Sequence, residues 1–186
     1  VAHPVPYAPS ADVAVVLDDA GVFAVELDPR PSREPAMDVT RELGWLHLEG
    51  RSRTQLGGPE ARVRLLNRGA TFTAAELLGS GGRALDLAVE YAKERVQFGR
   101  PIGSFQAVKH RCADMLVDVE GMRSTVYWAA WCISADDPEA SVAASTAKTW
   151  CSDASKRVMA SALQVHGGIG FTWEHDLHFF MKRAQL

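Results

Sequence analysis

Three long stretches with the apolar spacing of α-helices lie between about residue 69 and residue 166, and they limit what the chain can fold into. Apolar side chains recur every three or four residues, as they do on a helix with one buried face. Short breaks rich in glycine, proline or aspartate separate the stretches, so consecutive helices must run antiparallel. The spacing predicts helices of roughly 25 to 30 residues, long against a mean of about 11–12.

Local residue signals predict where these helices begin and end. The first should stop near Gly99, because Pro101 prevents its return, and Ser104 should cap the start of the second. Asp137 is a typical N-cap, and Pro138 suits the first position of a third helix. That helix should run to about residue 166, and a fourth helical pattern begins after residue 174.

The first 56 residues have the pattern of β-structure. Two apolar runs, Val13–Leu17 and Val22–Leu27, flank a short Asp/Gly turn and predict a hairpin, and residues 43–48 predict a third strand. We therefore predict an α+β chain. A partial antiparallel β-domain spans residues 1–56, a linker spans 57–68, and an antiparallel bundle of long helices spans 69–186.

Composition excludes several classes of function. The net charge of -3 offers no basic surface for nucleic acid. No apolar run approaches the ~18 residues of a membrane span. No signal-peptide pattern opens the sequence, so a cytoplasmic location is expected. Cys112, Cys132 and Cys151 are odd in number and form no CxxC pair, which predicts free thiols buried in helices.

The most informative stretch follows the third helix. Three glycines (Gly167, Gly168 and Gly170) interrupt the helical pattern, and the carboxylate of Glu174 comes shortly after them. Glycine lets backbone N–H groups approach a ligand closely, because no Cβ intervenes. The alternative is an ordinary helix C-cap followed by a connector.

A second stretch, Tyr91–Gln106, is a helix end, a sharp turn and a helix start. Arg95 offers a planar fork of donors that suits phosphate, and the amides of Gln97 and Gln106 lie nearby in the sequence. The alternative is that Arg95 binds the last carbonyl groups of its own helix.

Together these stretches make the chain recognisable. The segments YAKERVQFGRPIGSFQAVKHRCADM and ALQVHGGIGFTWEHD resemble the C-terminal helical domain of the acyl-CoA dehydrogenase family. The resemblance covers about residues 68 to 184, and the β-stretch is similar to the second half of the family's middle β-domain. It implies α,β-dehydrogenation of an acyl-CoA thioester with FAD as cofactor and an electron-transfer flavoprotein or similar electron acceptor.

The resemblance also implies roles for particular residues. Glu174 matches the glutamate that takes the proton from Cα while hydride leaves Cβ for N5 of FAD, and Glu76 is a distant second candidate for the base. A base of this kind is expected in an apolar, water-poor pocket. Because the flavin would lie between subunits, a dimer or a dimer of dimers is implied. The residues matched to flavin contacts are Arg95, Val96, Gln97, Phe98, Gln106, Gln164, Val165, His166, Gly167 and Gly168.

The sequence departs from the family pattern in several places. The N-terminal helical domain, the first half of the β-domain and the last helix have no counterpart, which implies a piece of a longer protein or a short subunit completed by a partner. Gly69 stands where some members have their catalytic base, and Ala70 stands about where many members have an arginine near the substrate. The tail from His175 to Arg183 resembles a subgroup acting on bulky steroid-derived or branched acyl-CoAs, in which two different subunits often pair.

These departures leave two alternatives open. The chain could be a non-catalytic subunit that completes the flavin site of a heteromeric partner, or an acyl-CoA oxidase of the same fold. His175 and His178 are spaced like metal ligands, but a zinc site needs three or four ligands. We therefore expect both imidazoles to face solvent or a subunit contact, with no metal bound.

Overall fold

The computed structural model describes residues 4–185, so residues 1–3 of the predicted β-domain and residue 186 of the predicted bundle lie outside it. The chain divides into two compact units, Val1–Leu66 and Asn67–Leu186. The predicted boundaries at residues 56 and 69 remain a prediction.

The first unit contains two small antiparallel sheets. In the larger one, strand β3 lies between β2 and β5, and in the smaller one β1 pairs with β4. The hairpin predicted from the two apolar runs is confirmed, with Leu17 opposite Val22, and the Oδ1 atom of Asp18 accepts a hydrogen bond from the Ala20 amide in its turn (2.9 Å). The strands are β1 (Pro4–Pro6), β2 (Val13–Asp18), β3 (Gly21–Glu26), β4 (Leu43–Trp45) and β5 (Thr54–Gly57).

Four helices account for most of the rest of the chain, and the predicted α+β class with a bundle of long helices is confirmed. The helices are α1 (Pro59–Glu94), α2 (Gln106–Ser134), α3 (Ala140–His166) and α4 (Leu177–Gln185). Helix α1 begins at Pro59, so most of the stretch 57–68 that the sequence predicted as a linker is helical. Proline suits the first helical position, since its missing N–H is not needed there.

The predicted helix ends need correction. Helix α1 ends at Glu94 instead of near Gly99, and a tight hairpin follows, with β6 (Val96–Gln97) paired to β7 (Arg100–Pro101). Ser104 does not cap α2, because its hydroxyl donates to the Pro101 carbonyl (2.7 Å) within the short 3₁₀ turn Ile102–Ser104.

The start of α3 also differs from the prediction. Asp137 does cap a turn, since its Oδ1 atom accepts a hydrogen bond from the Glu139 amide (2.8 Å), but the helix itself begins at Ala140. Pro138 therefore lies just outside α3, in the turn that leads into it.

The core of the second unit lies where α2 packs against α3, with contributions from α1 and α4. Small side chains let these helices approach closely: Ala143, Ala147 and Ala154 of α3 are completely buried. An added Cβ on Gly121 of α2 would lie 2.6 Å from the indole of Trp150 on α3. This helix contact therefore requires a residue without a side chain at position 121.

The three cysteines are free thiols within this bundle, as expected. Cys132 and Cys151 are buried and Cys112 is half-buried. Burial raises the pKa of all three thiols, because an apolar surrounding disfavours the thiolate. Across residues 4–185, none of the helices combines the length and apolar character needed to cross a membrane.

Two glycine substitutions test the close contact between α2 and α3. Gly121→Ala should lower the free energy of unfolding by about 1–3 kcal/mol, because the new methyl group must displace the Trp150 indole. Gly82→Ala in α1 is the matched control. Its Cβ would meet nothing within 4 Å, so the better helix former should raise stability by about 0.5–1 kcal/mol. Denaturant unfolding of both variants measures the two effects, and equal changes would contradict the packing argument.

Candidate functional site

One groove collects residues from both informative stretches of the sequence. It has a volume of about 430 Å³ and lies beside the ends of α1 and α3. Arg95 and Gln97 line it from the first stretch, and Val165, His166 and Gly168 line it from the second. Two motifs that are far apart in the sequence therefore form one surface.

Arg95 directly follows the last residue of α1, and its backbone is fixed on both sides. Its amide donates to the Tyr91 carbonyl (2.9 Å), and its carbonyl accepts from the Ile102 amide (2.8 Å). Within residues 4–185 its guanidinium makes no hydrogen bond and no ion pair. The alternative role of binding the last carbonyls of α1 is therefore not observed.

The three glycines after α3 have different roles. Gly167 adopts a left-handed backbone conformation with φ of 62°, which glycine tolerates best. An added Cβ on Gly168 would meet no atom within 4 Å, so the space beside it is open to a ligand. A Cβ on Gly170 would instead lie 3.0 Å from the His166 Cβ and 3.1 Å from Leu163 Cδ1, so that glycine serves packing.

His166 forms the buried wall of the groove, with 3% of its surface exposed. Its Nδ1 atom lies 2.8 Å from the Ala162 carbonyl, which can only accept, so Nδ1 carries the proton. The ring stacks on Tyr91 with 4.8 Å between centroids. Burial lowers the pKa of His166, and the neighbouring His175 lowers it further. The imidazole is therefore neutral at physiological pH.

Other residues matched to flavin contacts do not line this groove. Val96 and Phe98 are exposed, Phe98 by 92%, and the Phe98 ring meets only the edge of Phe105 at 6.1 Å. Gln106 begins α2 and Gln164 lies near the end of α3, and both are exposed. The exposed apolar side chains of Val96 and Phe98 suit contact with another molecule. The assignment of all ten matched residues to flavin contacts stays a prediction, including those that line the groove.

Glu174 lies in the turn between a 3₁₀ helix, Gly167–Phe171, and helix α4. Its side chain is exposed, so the described residues do not form the apolar pocket that was expected around it. The second candidate base, Glu76, is already engaged, since its Oε1 atom accepts a hydrogen bond from Arg183 of α4 (2.7 Å). This ion pair ties α1 to α4.

The residues flanking Glu174 form ring contacts that sequence reasoning missed. The His175 and His166 rings form a T-shaped contact with 4.5 Å between their centroids. The Nδ1 atom of His175 also accepts a hydrogen bond from the Leu177 amide (3.2 Å). The expectation that both histidines face solvent or a subunit contact is wrong for His178, which is buried against Trp173 at 4.6 Å. The amphipathic spacing of α4 was the available signal, since it turns His178 inward.

The fold and the two motifs define the class of this chain. It is a bundle of long helices in which an arginine hairpin (residues 95–101) and a glycine turn (residues 167–171) lie beside one groove. The family model described as the acyl-CoA dehydrogenase C-terminal domain matches residues 57–186. The chain belongs to the acyl-CoA dehydrogenase family, as the two sequence motifs predicted.

Similarity to known proteins extends over nearly the whole chain. It is 41% identical to the acyl-CoA dehydrogenase IpdE2 of Mycobacterium tuberculosis, over 96% of this chain and 53% of that protein. The ChsE4-ChsE5 complex from Mycobacterium tuberculosis has a TM-score of 0.86 at 36% identity, covering 98% of this chain and 52% of that one. A variant of the Tcur3481-Tcur3483 steroid ACAD also has a TM-score of 0.86, at 32% identity over 98% and 52%. The chain thus spans about half the length of the curated relatives it matches.

The lowered pKa of His166 predicts a pH dependence of stability. Between that lowered pKa and the ordinary value of 6.5, the unfolded chain binds a proton that the folded chain does not. Stability is therefore highest above about pH 6.5 and falls as the pH drops through this window. His166→Phe keeps a ring against Tyr91 but cannot take up the proton. Its unfolding free energy, measured by denaturant titration at several pH values, should fall less steeply below about pH 6.5 than that of the wild type. Parallel pH profiles would contradict this assignment.

Proposed function

We propose that this chain is part of an FAD-dependent acyl-CoA dehydrogenase, which introduces a double bond between Cα and Cβ of an acyl-CoA thioester. One observation carries the proposal: a single groove unites the arginine hairpin after α1 with the glycine turn after α3. Membership of the family supports the reaction class. The chain covers only part of its relatives, so the activity of the whole protein is part of this proposal.

The residues of the groove fit the diphosphate part of FAD. A diphosphate needs cationic or N–H donors, and the Arg95 guanidinium has no hydrogen bond or ion pair to any residue in the range 4–185. An added Cβ on Gly168 would meet no atom within 4 Å, so a ligand can approach this backbone closely. The stacked rings of Tyr91 and His166 form an aromatic wall of the same groove. A neutral His166 adds no charge of its own.

Glu174 is the proposed base of the reaction. It takes the proton from Cα of the substrate, while the electron pair of the Cβ–H bond leaves as hydride. Bound flavin supplies the two-electron acceptor for that hydride. The Glu174 side chain is exposed in the described residues, and a bound substrate would exclude water from its carboxylate.

The proposed substrates are bulky acyl-CoAs of steroid or branched type. Support comes from the similarity to a protein described as a steroid ACAD. An electron-transfer flavoprotein or similar acceptor would remove the electrons, in the cytoplasm. Direct transfer to oxygen, as in an acyl-CoA oxidase, is distinguished by oxygen consumption without an added acceptor.

Substitution of Glu174 tests the proposed mechanism. Glu174→Gln in the holoenzyme should keep the bound flavin, because the side chain does not line the groove, and should lose flavin reduction by acyl-CoA at least about 10²-fold. Anaerobic absorbance measurements after addition of acyl-CoA follow this reduction. Glu76→Gln is the matched carboxylate control, and it should retain reduction. A Glu174→Gln enzyme that bleaches at the wild-type rate overturns the assignment of the base.

A second candidate function is that of a partner subunit in a heteromeric enzyme. The likeness to the ChsE4-ChsE5 complex favours it, since that assembly contains two different chains by its name. The exposed Glu174 agrees with this candidate as well, because a second chain could provide its cover.

The flavin-to-chain ratio separates the two candidates. A homo-oligomeric enzyme should carry about one flavin per chain when the full-length protein is purified alone. A partner subunit should be colourless alone and should gain flavin only when co-purified with a second, different dehydrogenase chain. Native mass spectrometry measures flavin content and subunit composition together, and stoichiometric flavin in a homo-oligomer excludes the second candidate.

A further inference from the structure

Trp173, the residue before Glu174, packs against one turn of helix α4. His178 and Lys182 are four residues apart, so they occupy neighbouring positions on one face of α4. The His178 ring contacts the Trp173 ring at 4.6 Å, and the Lys182 ammonium lies 4.0 Å from the centre of the Trp173 ring. Trp173 is therefore bound to α4 at two points, one of them a cation on its π face.

Lys182 is unusual because its ammonium group is buried and has no hydrogen-bond acceptor among the residues that the structure describes. A buried charge is costly unless another group compensates it. The aromatic rings of Trp173 and Phe179, at 4.0 and 5.9 Å, are the groups that the structure places around it. A cation over an aromatic face is attracted most strongly where water is excluded, as it is at this ammonium.

Little else in the described residues fixes Trp173. Its side chain is 72% exposed, so burial of apolar surface contributes little to its position. On the other side of Glu174, His175 is fixed by the His166 ring and by the Leu177 amide. Glu174 is thus flanked by two anchored rings, and Lys182 provides the one charged contact of the Trp173 ring among the described residues.

We propose that Lys182 is a positioning residue for Glu174, which it holds in place through a cation–π contact with Trp173. The contact fixes the Trp173 ring and with it the peptide that carries the Glu174 carboxylate. The catalytic part of this inference rests on the proposed function, whereas the ordering of the turn does not. Since the misplacement of a reacting group by about 1 Å costs up to 10²-fold in rate, a modest release of this turn should be measurable.

Lys182→Met and Lys182→Arg in the holoenzyme test the proposal. Methionine keeps the apolar stem and removes the charge, whereas arginine keeps a cation that stacks on an aromatic face. We expect Lys182→Met to lower kcat about 10-fold with KM and flavin content unchanged, and Lys182→Arg to recover kcat to within about 3-fold of wild type. Lys156→Met, which removes an exposed charge from α3, is the control and should leave kcat unchanged.

A second measurement does not depend on activity. The Thr172 and Leu177 amides on either side of Glu174 donate hydrogen bonds within the turn. Hydrogen exchange in a peptide spanning residues 171–179 should be about 3- to 10-fold faster in Lys182→Met than in Lys182→Arg or wild type. If this exchange difference appears in a protein without dehydrogenase activity, the positioning role holds and the proposed function fails.

The double variant Trp173→Leu/Lys182→Met tests whether Lys182 acts through Trp173. If Lys182 acts through Trp173, adding Lys182→Met to Trp173→Leu should change neither kcat nor exchange any further. Three results overturn the inference: unchanged exchange in Lys182→Met, failure of arginine to restore the turn, or full additivity of the two substitutions. In an active enzyme, unchanged kcat in Lys182→Met also overturns the positioning of Glu174, even where the exchange differs.

Discussion

The stacked rings of Tyr91 and His166 are the contact on which the candidate site depends. Tyr91 lies in the last turn of α1 and His166 is the last residue of α3, so this one pair joins two helix ends. Arg95 follows one end and Gly168 follows the other. Because both functional segments begin within four residues of the stack, their separation is set by a rigid aromatic contact between helices, whereas loops alone would leave it variable.

The fold was largely predictable from the sequence, because long apolar repeats and helix breakers are local signals. The exact helix ends were not, and the errors have physical causes. Glycine and proline near residues 57–59 suggested a linker, yet proline is favoured at the first position of a helix and α1 begins there. Ser104 had the composition of a cap, but its hydroxyl bonds the Pro101 carbonyl in a preceding 3₁₀ turn. Local composition could not decide between these neighbouring hydrogen-bond choices.

The site was predictable in part. The motifs indicated Arg95 and Gly168, and the structure unites them, whereas the ring contacts of Trp173, His175 and His178 depend on how α4 folds back after the turn. Helix α4 has only nine residues, which is too short for its apolar spacing to predict how it packs against the preceding turn. Aromatic and cationic side chains can pair in many ways, so only the three-dimensional arrangement shows that Lys182 meets Trp173. Such non-local pairs are beyond sequence spacing alone.

The environments of His166 and Glu174, the two residues proposed for different tasks, differ sharply. His166 is buried and held neutral, so it shapes the groove wall without adding a charge near Arg95, whose guanidinium has no hydrogen bond or ion pair within residues 4–185. Glu174 is exposed, so the described residues do not enclose its carboxylate. The ring contacts of His175 and Trp173 lie on either side of this carboxylate in the sequence. The arrangement agrees with the proposal that Glu174 is a base which this chain positions and another molecule covers.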